Sequence, residues 1–215
     1  MNRLRRAAII AFSMHLLAGI SVALILTNGL ETNTNFTARL NFIVGHPAPW
    51  GFGWLTFTAA AISILYFYDA LASTHRLERF AVLLTAAAIV ADITGHTIEF
   101  GVLPSIAYRV LSSETTPDTF LLLHRIVVLL SAYVANTLYS LSALILAWRT
   151  RGFYPRQVWI SGIAVGVCGF AMSVAAIAES TDGLFWTNAI LFPLILLWLA
   201  LVALSARPGP ADMRR

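Results

Sequence analysis

Six apolar stretches decide what this chain can become. They cover 7–28, 51–74, 80–101, 119–148, 157–178 and 184–206, and each is long enough for a helix rising about 1.5 Å per residue to cross a hydrocarbon core roughly 30 Å thick. A backbone in that core has no water to bond with, so each stretch is expected to be a helix that satisfies its own N–H and C=O groups. Composition agrees, since 59% of the residues are hydrophobic and 11% charged, against roughly 25% charged in a soluble domain. The expected fold class is therefore all-α: a polytopic bundle of six transmembrane helices forming a single domain over 1–215. The connections are too short for a second, soluble domain.

Arginine sets the topology. The 14 basic residues are all arginine, and the absence of lysine excludes retinal or other Schiff-base chemistry. Arg3, Arg5, Arg6, Arg76, Arg79, Arg149, Arg151, Arg156, Arg207, Arg214 and Arg215 fall on one side of the six spans, and only Arg39, Arg109 and Arg125 on the other. By the positive-inside rule both termini are cytoplasmic (N-in, C-in), as in a multi-pass protein of a bacterial inner membrane. The basic excess reflects topology and implies no nucleic-acid partner. Met1–Arg6 followed by an apolar run resembles a signal peptide, but the run is too long and lacks a small-x-small cleavage site, so it reads as an uncleaved first span. Cys168 stands alone and can form no intramolecular disulfide.

Within the third span, Ala91–Phe100 reads ADITGHTIEF. Asp92, His96 and Glu99 fall at i, i+4 and i+7, on one face of a helix. Ionisable groups inside a span are costly and rare, so this face is the first candidate for a functional site. Counting from Arg79 places Asp92 roughly 19 Å, His96 about 25 Å and Glu99 about 30 Å across the membrane. Span four descends to Trp148, which puts Asn136 at roughly 18 Å, Tyr133 near 22 Å, and His124 and Arg125 at about 35 Å. The heights predict Asp92 beside Asn136, and Glu99 beside Arg125 or His124. Glu31, His46, Glu179 and Asn188 fall on the same outer side. Asp92, Glu99, Glu179, His46, His96 and His124 are thus expected to converge on one outward-opening cavity, with Asn136 and Tyr133 as polar partners. Asp69 and His75 lie at the other side; His15 is expected to bond a backbone carbonyl.

Three chemistries suit such a cavity. His96 and Glu99, with His124 and His46, can supply ligands for zinc, iron or copper, or two of the histidines can ligate a b-type haem. A redox or hydrolytic metal centre near the outer leaflet is the reading the residue types favour. The alternative uses no metal. A carboxyl as deep as Asp92 is costly to leave charged and suits giving and taking protons, either in an enzyme acting on a lipophilic, isoprenoid-like substrate or in a proton-coupled carrier. In the third reading the same groups are interhelical polar contacts of a non-catalytic subunit or scaffold. Residue types alone leave enzyme, carrier and subunit open.

The rest of the chain is read more briefly. Phe36–Val44 and Pro104–Ser113 are expected to lie along the interface, Trp50 and Trp54 to anchor span two there, and His75 to be solvated. Gly162, Gly166 and Gly169 make a small-residue face for a partner helix, within the monomer or between copies. Span four is too long for a bilayer and should tilt or protrude. Leu123-His-Arg at the head of span four, and Arg149-Thr-Arg-Gly-Phe-Tyr-Pro-Arg before the glycine-rich span five, resemble uncharacterised six-helix bacterial integral membrane proteins. Those proteins carry no assigned activity, so the resemblance implies architecture only.

Overall fold

Asn2 opens the first helix: its side chain accepts a hydrogen bond from the Arg5 N–H at 2.8 Å, satisfying one of the donors that a helix start leaves free. From there α1 (Arg3–Leu24) runs into a short 3-10 turn, Leu26–Asn28. The computed structural model describes residues 2–75 and 79–206, so Arg76, Arg207, Arg214 and Arg215 lie outside the described residues. The remaining elements are α2 (Phe36–Gly45), α3 (Pro47–His75), α4 (Phe80–Gly101), α5 (Leu103–Leu111), α6 (Pro117–Val128), a π-helical segment (Leu129–Ala135), α7 (Asn136–Arg149), α8 (Arg156–Ile177) and α9 (Thr181–Ser205). No strand occurs among the described residues.

Six segments are long and apolar enough to cross a membrane: Arg3–Asn28, Pro47–His75, Phe80–Leu111, Pro117–Arg149, Arg156–Ile177 and Thr181–Ser205. Each contains or overlaps one of the six apolar stretches of the sequence, and the protein is an all-α, multi-pass membrane bundle. Its outward faces suit lipid and not water: Leu24, Leu83, Val90, Val174 and Leu204 all stand well exposed.

The spans close into a ring. Going round it, α1 packs on α3, α3 on α4, α4 on α7, α7 on α8, α8 on α9, and α9 back on α1. At the end where α1 starts and α9 finishes, an apolar core gathers Leu4, Ala8, Phe67, Tyr68, Leu71, Leu146, Trp198 and Val202. Arg3 closes that end with an ion pair to Asp69. Gly162 faces Ala147 and Trp198, and Gly166 faces Leu144 and the Ser140 carbonyl, at distances where an added Cβ would collide. The small-residue face is thus filled by helices of the same chain.

A second core occupies the opposite end. There α2 and α5 pack on each other and, with the 3-10 turn, cover Leu26, Leu40, Ile43, Trp50, Trp54, Leu103, Ala107 and Phe120. Trp50 is fully buried and Trp54 nearly so, which corrects their expected role as interface anchors. Trp50 instead ties α3 to α4, its Nε1 donating to the Glu99 carbonyl at 2.8 Å. The indole N–H must find an acceptor when it leaves water, and a carbonyl near the end of α4 supplies one. His75, expected to be solvated, is half-buried: it stacks on Phe153 and lies 2.8 Å from the Tyr154 hydroxyl, whose ionisation burial pushes up to about 12. The long fourth span is α6 and α7 joined through the π segment, whose Ser131 faces Gly95 of α4 so closely that an added Cβ would lie 2.6 Å from its hydroxyl.

Candidate functional site

The polar face of α4 divides into two groupings. Nearer the middle, His96 Nε2 lies 3.3 Å from Asp92 Oδ1, one helical turn back, and its Nδ1 lies 3.1 Å from the Thr58 hydroxyl of α3. Tyr139 of α7 donates to Asp92 Oδ2 at 3.2 Å. Trp54 and Phe57 stand against the imidazole, with ring centroids 5.3 and 5.9 Å away. Asp92 therefore meets Tyr139 and not Asn136, whose amide turns to α8 and donates to the Gly169 carbonyl at 2.6 Å. Equal depth did not make Asp92 and Asn136 partners, because they point to different neighbours. Tyr133 faces outward on the π segment.

Two turns along α4, Glu99 is completely buried. Its Oε1 lies 2.9 Å from His124 Nδ1, and the other ring nitrogen, Nε2, lies 3.1 Å from Glu31 Oε1. One imidazole thus bridges a carboxylate from α4 and a carboxylate from the α1–α2 connection. Glu99 Oε2 has no hydrogen-bond partner. The bridge from His124 holds the Glu31 carboxyl below the usual carboxylate range, outweighing the opposing effect of burial.

Arg39, the one charged residue of α2, is buried. Its Nε donates to the Gly29 carbonyl at 3.1 Å, while Phe36 and Phe120 present their ring faces to the guanidinium. Burial pulls its ionisation down from the ordinary arginine value, and the charges of Glu31 and Glu99 oppose that pull. Nη2 is left without a hydrogen-bond partner. Arg125 meets Glu179 at 3.1 Å and donates to the Ala176 carbonyl at 2.7 Å, so it is engaged with the α8–α9 turn and not with Glu99. Glu179 adopts φ 55, a left-handed conformation uncommon outside glycine.

These residues enclose a cavity of ≈ 160 Å³ lined by Glu31, Arg39, Leu121, His124, Arg125, Val128, Glu179 and Leu184. Of the six groups expected to converge there, His124 and Glu179 line it and Glu99 stands directly behind His124. Asp92 and His96 form the separate inner grouping. His46 is exposed, stacked on Phe42, and joins neither. His15 binds the Ala11 carbonyl of its own helix at 2.8 Å.

Sequence reasoning passed over Arg39 and left Glu31 at the margin. A signal for Arg39 was present: in F-T-A-R-L-N-F-I-V-G the polar Thr37 and Asn41 share one helix face at i and i+4, and Arg39, two residues from each, falls on the opposite, apolar side with Phe36, Leu40 and Ile43. Of the four expected metal or haem ligands, Glu99 and His124 meet, His96 belongs to the inner grouping, and His46 is exposed away from both. Both ring nitrogens of His96 and of His124 already face side-chain oxygens. Among the described residues no three His, Cys, Asp or Glu side chains gather as they would around a metal ion. No protein-family model, curated protein or solved structure matches this chain.

Proposed function

We propose that this protein is a membrane-embedded acid–base catalyst acting on a lipophilic molecule whose polar head enters the cavity beside Glu31. The observation that carries this reading is the continuous chain Glu99–His124–Glu31, which joins a buried carboxyl to a cavity wall. Each of its two hydrogen bonds requires one hydrogen, so three groups share two protons. With both protons on the ring, an imidazolium stands between two carboxylates; when Glu99 takes the Nδ1 proton, the imidazole still donates from Nε2 and Glu31 is a base. With Glu31 protonated, the imidazole donates from Nδ1 and Glu31 is an acid. Movement of one proton on each side of the ring converts one arrangement into the other, with no net uptake from water. A group that can be both acid and base at one position is what proton abstraction and return on a bound molecule require.

The cavity's position favours a catalyst over a carrier. It lies at one end of the bundle, while the opposite end is filled by the Phe67, Tyr68 and Trp198 core. The arginine distribution supports an outer-leaflet position for that cavity. The apolar lining residues Leu121, Val128 and Leu184 suit a substrate that arrives from the bilayer.

The test is the lipid profile of isolated membranes carrying the wild-type chain against those carrying Glu31→Gln or His124→Gln, incubated in deuterated water. The expected result is a lipophilic species that is converted, or gains deuterium at carbon, only with the wild-type chain. Profiles that do not differ, with all three proteins folded in the membrane, would overturn the reading. Metal analysis and a visible spectrum of the purified protein test the metal or haem alternative in the same preparation.

A further inference from the structure

Arg39 is unlike the other charges of the cavity. Glu31 is held by His124, and Arg125 is held by Glu179 and the Ala176 carbonyl, but Arg39 Nη2 has no partner although only 6% of the residue is exposed. A buried guanidinium nitrogen with an unused donor is costly, and an oxygen acceptor relieves that cost best when it is itself charged. At ≈ 160 Å³ the cavity is smaller than the roughly 300–1,000 Å³ that hold a whole small molecule. It suits a headgroup whose hydrocarbon tail stays among Leu121, Leu184 and the bilayer.

Charge counting adds a second requirement. With two shared protons, the Glu99–His124–Glu31 chain carries one net negative charge. Arg39 balances it, and Arg125 balances Glu179. The cavity is therefore neutral before anything binds, and an anion entering it leaves one uncompensated negative charge in a partly desolvated site. A third proton on the chain removes that charge.

We propose that the cavity binds the oxyanion head of an amphiphile, a carboxylate or the singly charged form of a phosphate monoester, on Arg39, and that each anion bound brings about one proton onto the Glu99–His124–Glu31 chain. The proton comes from solvent and the anion keeps its own charge, so the complex is neutral. This names the substrate class for the acid–base reading and rests on it for the two-proton count.

The experiment is titration calorimetry of the full-length protein in neutral detergent, with dodecanoate, dodecyl phosphate, dodecanol and inorganic phosphate as probes. It is repeated in buffers of different ionisation enthalpy, which reports protons taken up. Dodecanoate or dodecyl phosphate is expected to bind about tenfold or more tightly than dodecanol, with uptake of about one proton per dodecanoate and up to one more for dodecyl phosphate, whose doubly charged fraction is itself protonated. Binding of inorganic phosphate alone at that affinity would overturn the amphiphile claim. Arg39→Gln is expected to remove the preference for the anion, and Arg39→Lys to restore part of it. In Glu31→Gln the chain is less negative by one charge, so dodecanoate should still bind, without proton uptake. Equal binding of dodecanol and the two alkyl anions to the wild-type protein would overturn the proposal, and that comparison needs no variant to fold. Anion binding that survives in Arg39→Gln, or that takes up no proton in the wild type, would overturn it as well. A proton-linked anion site with unchanged membrane lipids would sink the catalytic reading and leave this one standing; unselective binding with altered lipids would do the reverse.

Discussion

Two acid–imidazole groupings share the polar face of α4, about 10 Å apart along its axis, and they differ in what completes them. Asp92 and His96 are met by Thr58 and Tyr139, side chains of transmembrane helices, and Trp54 and Phe57 stand against the imidazole. Glu99 and His124 are met by Glu31, a residue of the connection that folds back over the bundle, beside Arg39 of α2. Where rigid spans alone surround it, the acid–imidazole pair closes on itself. Where connecting segments complete it, a cavity remains; Glu99 Oε2 and Arg39 Nη2 are without hydrogen-bond partners there, as is Trp54 Nε1 beside the inner pair. The same residue types thus close on one another in one place and border a cavity in the other.

The largest expected effect breaks the outer grouping. His124→Ala would leave Glu99 with neither oxygen partnered in a dry site, and should destabilise the protein by about 3 kcal/mol, read by denaturant unfolding in detergent. Glu99→Gln should recover much of that, because the amide can still bond and carries no charge. Within the inner grouping, between Asp92 and His96, α4 approaches the π segment through Gly95, where an added Cβ would lie 2.6 Å from the Ser131 hydroxyl. Gly95→Leu should therefore cost about 1–3 kcal/mol by overpacking, and should disturb both groupings together in the same measurement.

Smaller effects sharpen the contrast. Tyr139→Phe removes one hydrogen bond to Asp92 and should cost about 0.6–1 kcal/mol, with the lipid profile of the wild type unchanged. A change in lipid chemistry on that substitution, or on Asp92→Asn, would erase the distinction between a packing pair and a catalytic one. The smallest effect concerns acid. Glu31 has a folded-state ionisation below that of the unfolded chain, so its carboxylate favours folding at neutral pH. That contribution is complete above the ordinary glutamate value of about 4.3 and is lost as pH falls through the lower folded value. Thermal melts at stepped acidic pH should show Glu31→Gln less acid-sensitive than the wild-type protein.

Much of this arrangement was legible before any coordinates. Spacing alone placed Asp92, His96 and Glu99 on one face, and counting 1.5 Å per residue brought Glu99 level with His124, which it meets. The same counting failed for Asp92 and Asn136, because height along an axis says nothing of the direction in which a side chain leaves it. It failed again for Trp50, whose indole reads as an interface anchor until α2 and α5 are seen to cover it.

The sequence by itself determined the number and length of the spans, the all-helical class and the polar face of α4, since each follows from local pattern and the absence of water in hydrocarbon. Tertiary structure alone decided which acid meets which imidazole, that Glu31 and Arg39 belong to the site, and that His46 does not. Those choices depend on how the α1–α2 connection packs over Trp50 and Phe120, contacts between residues far apart in the chain that no local period encodes.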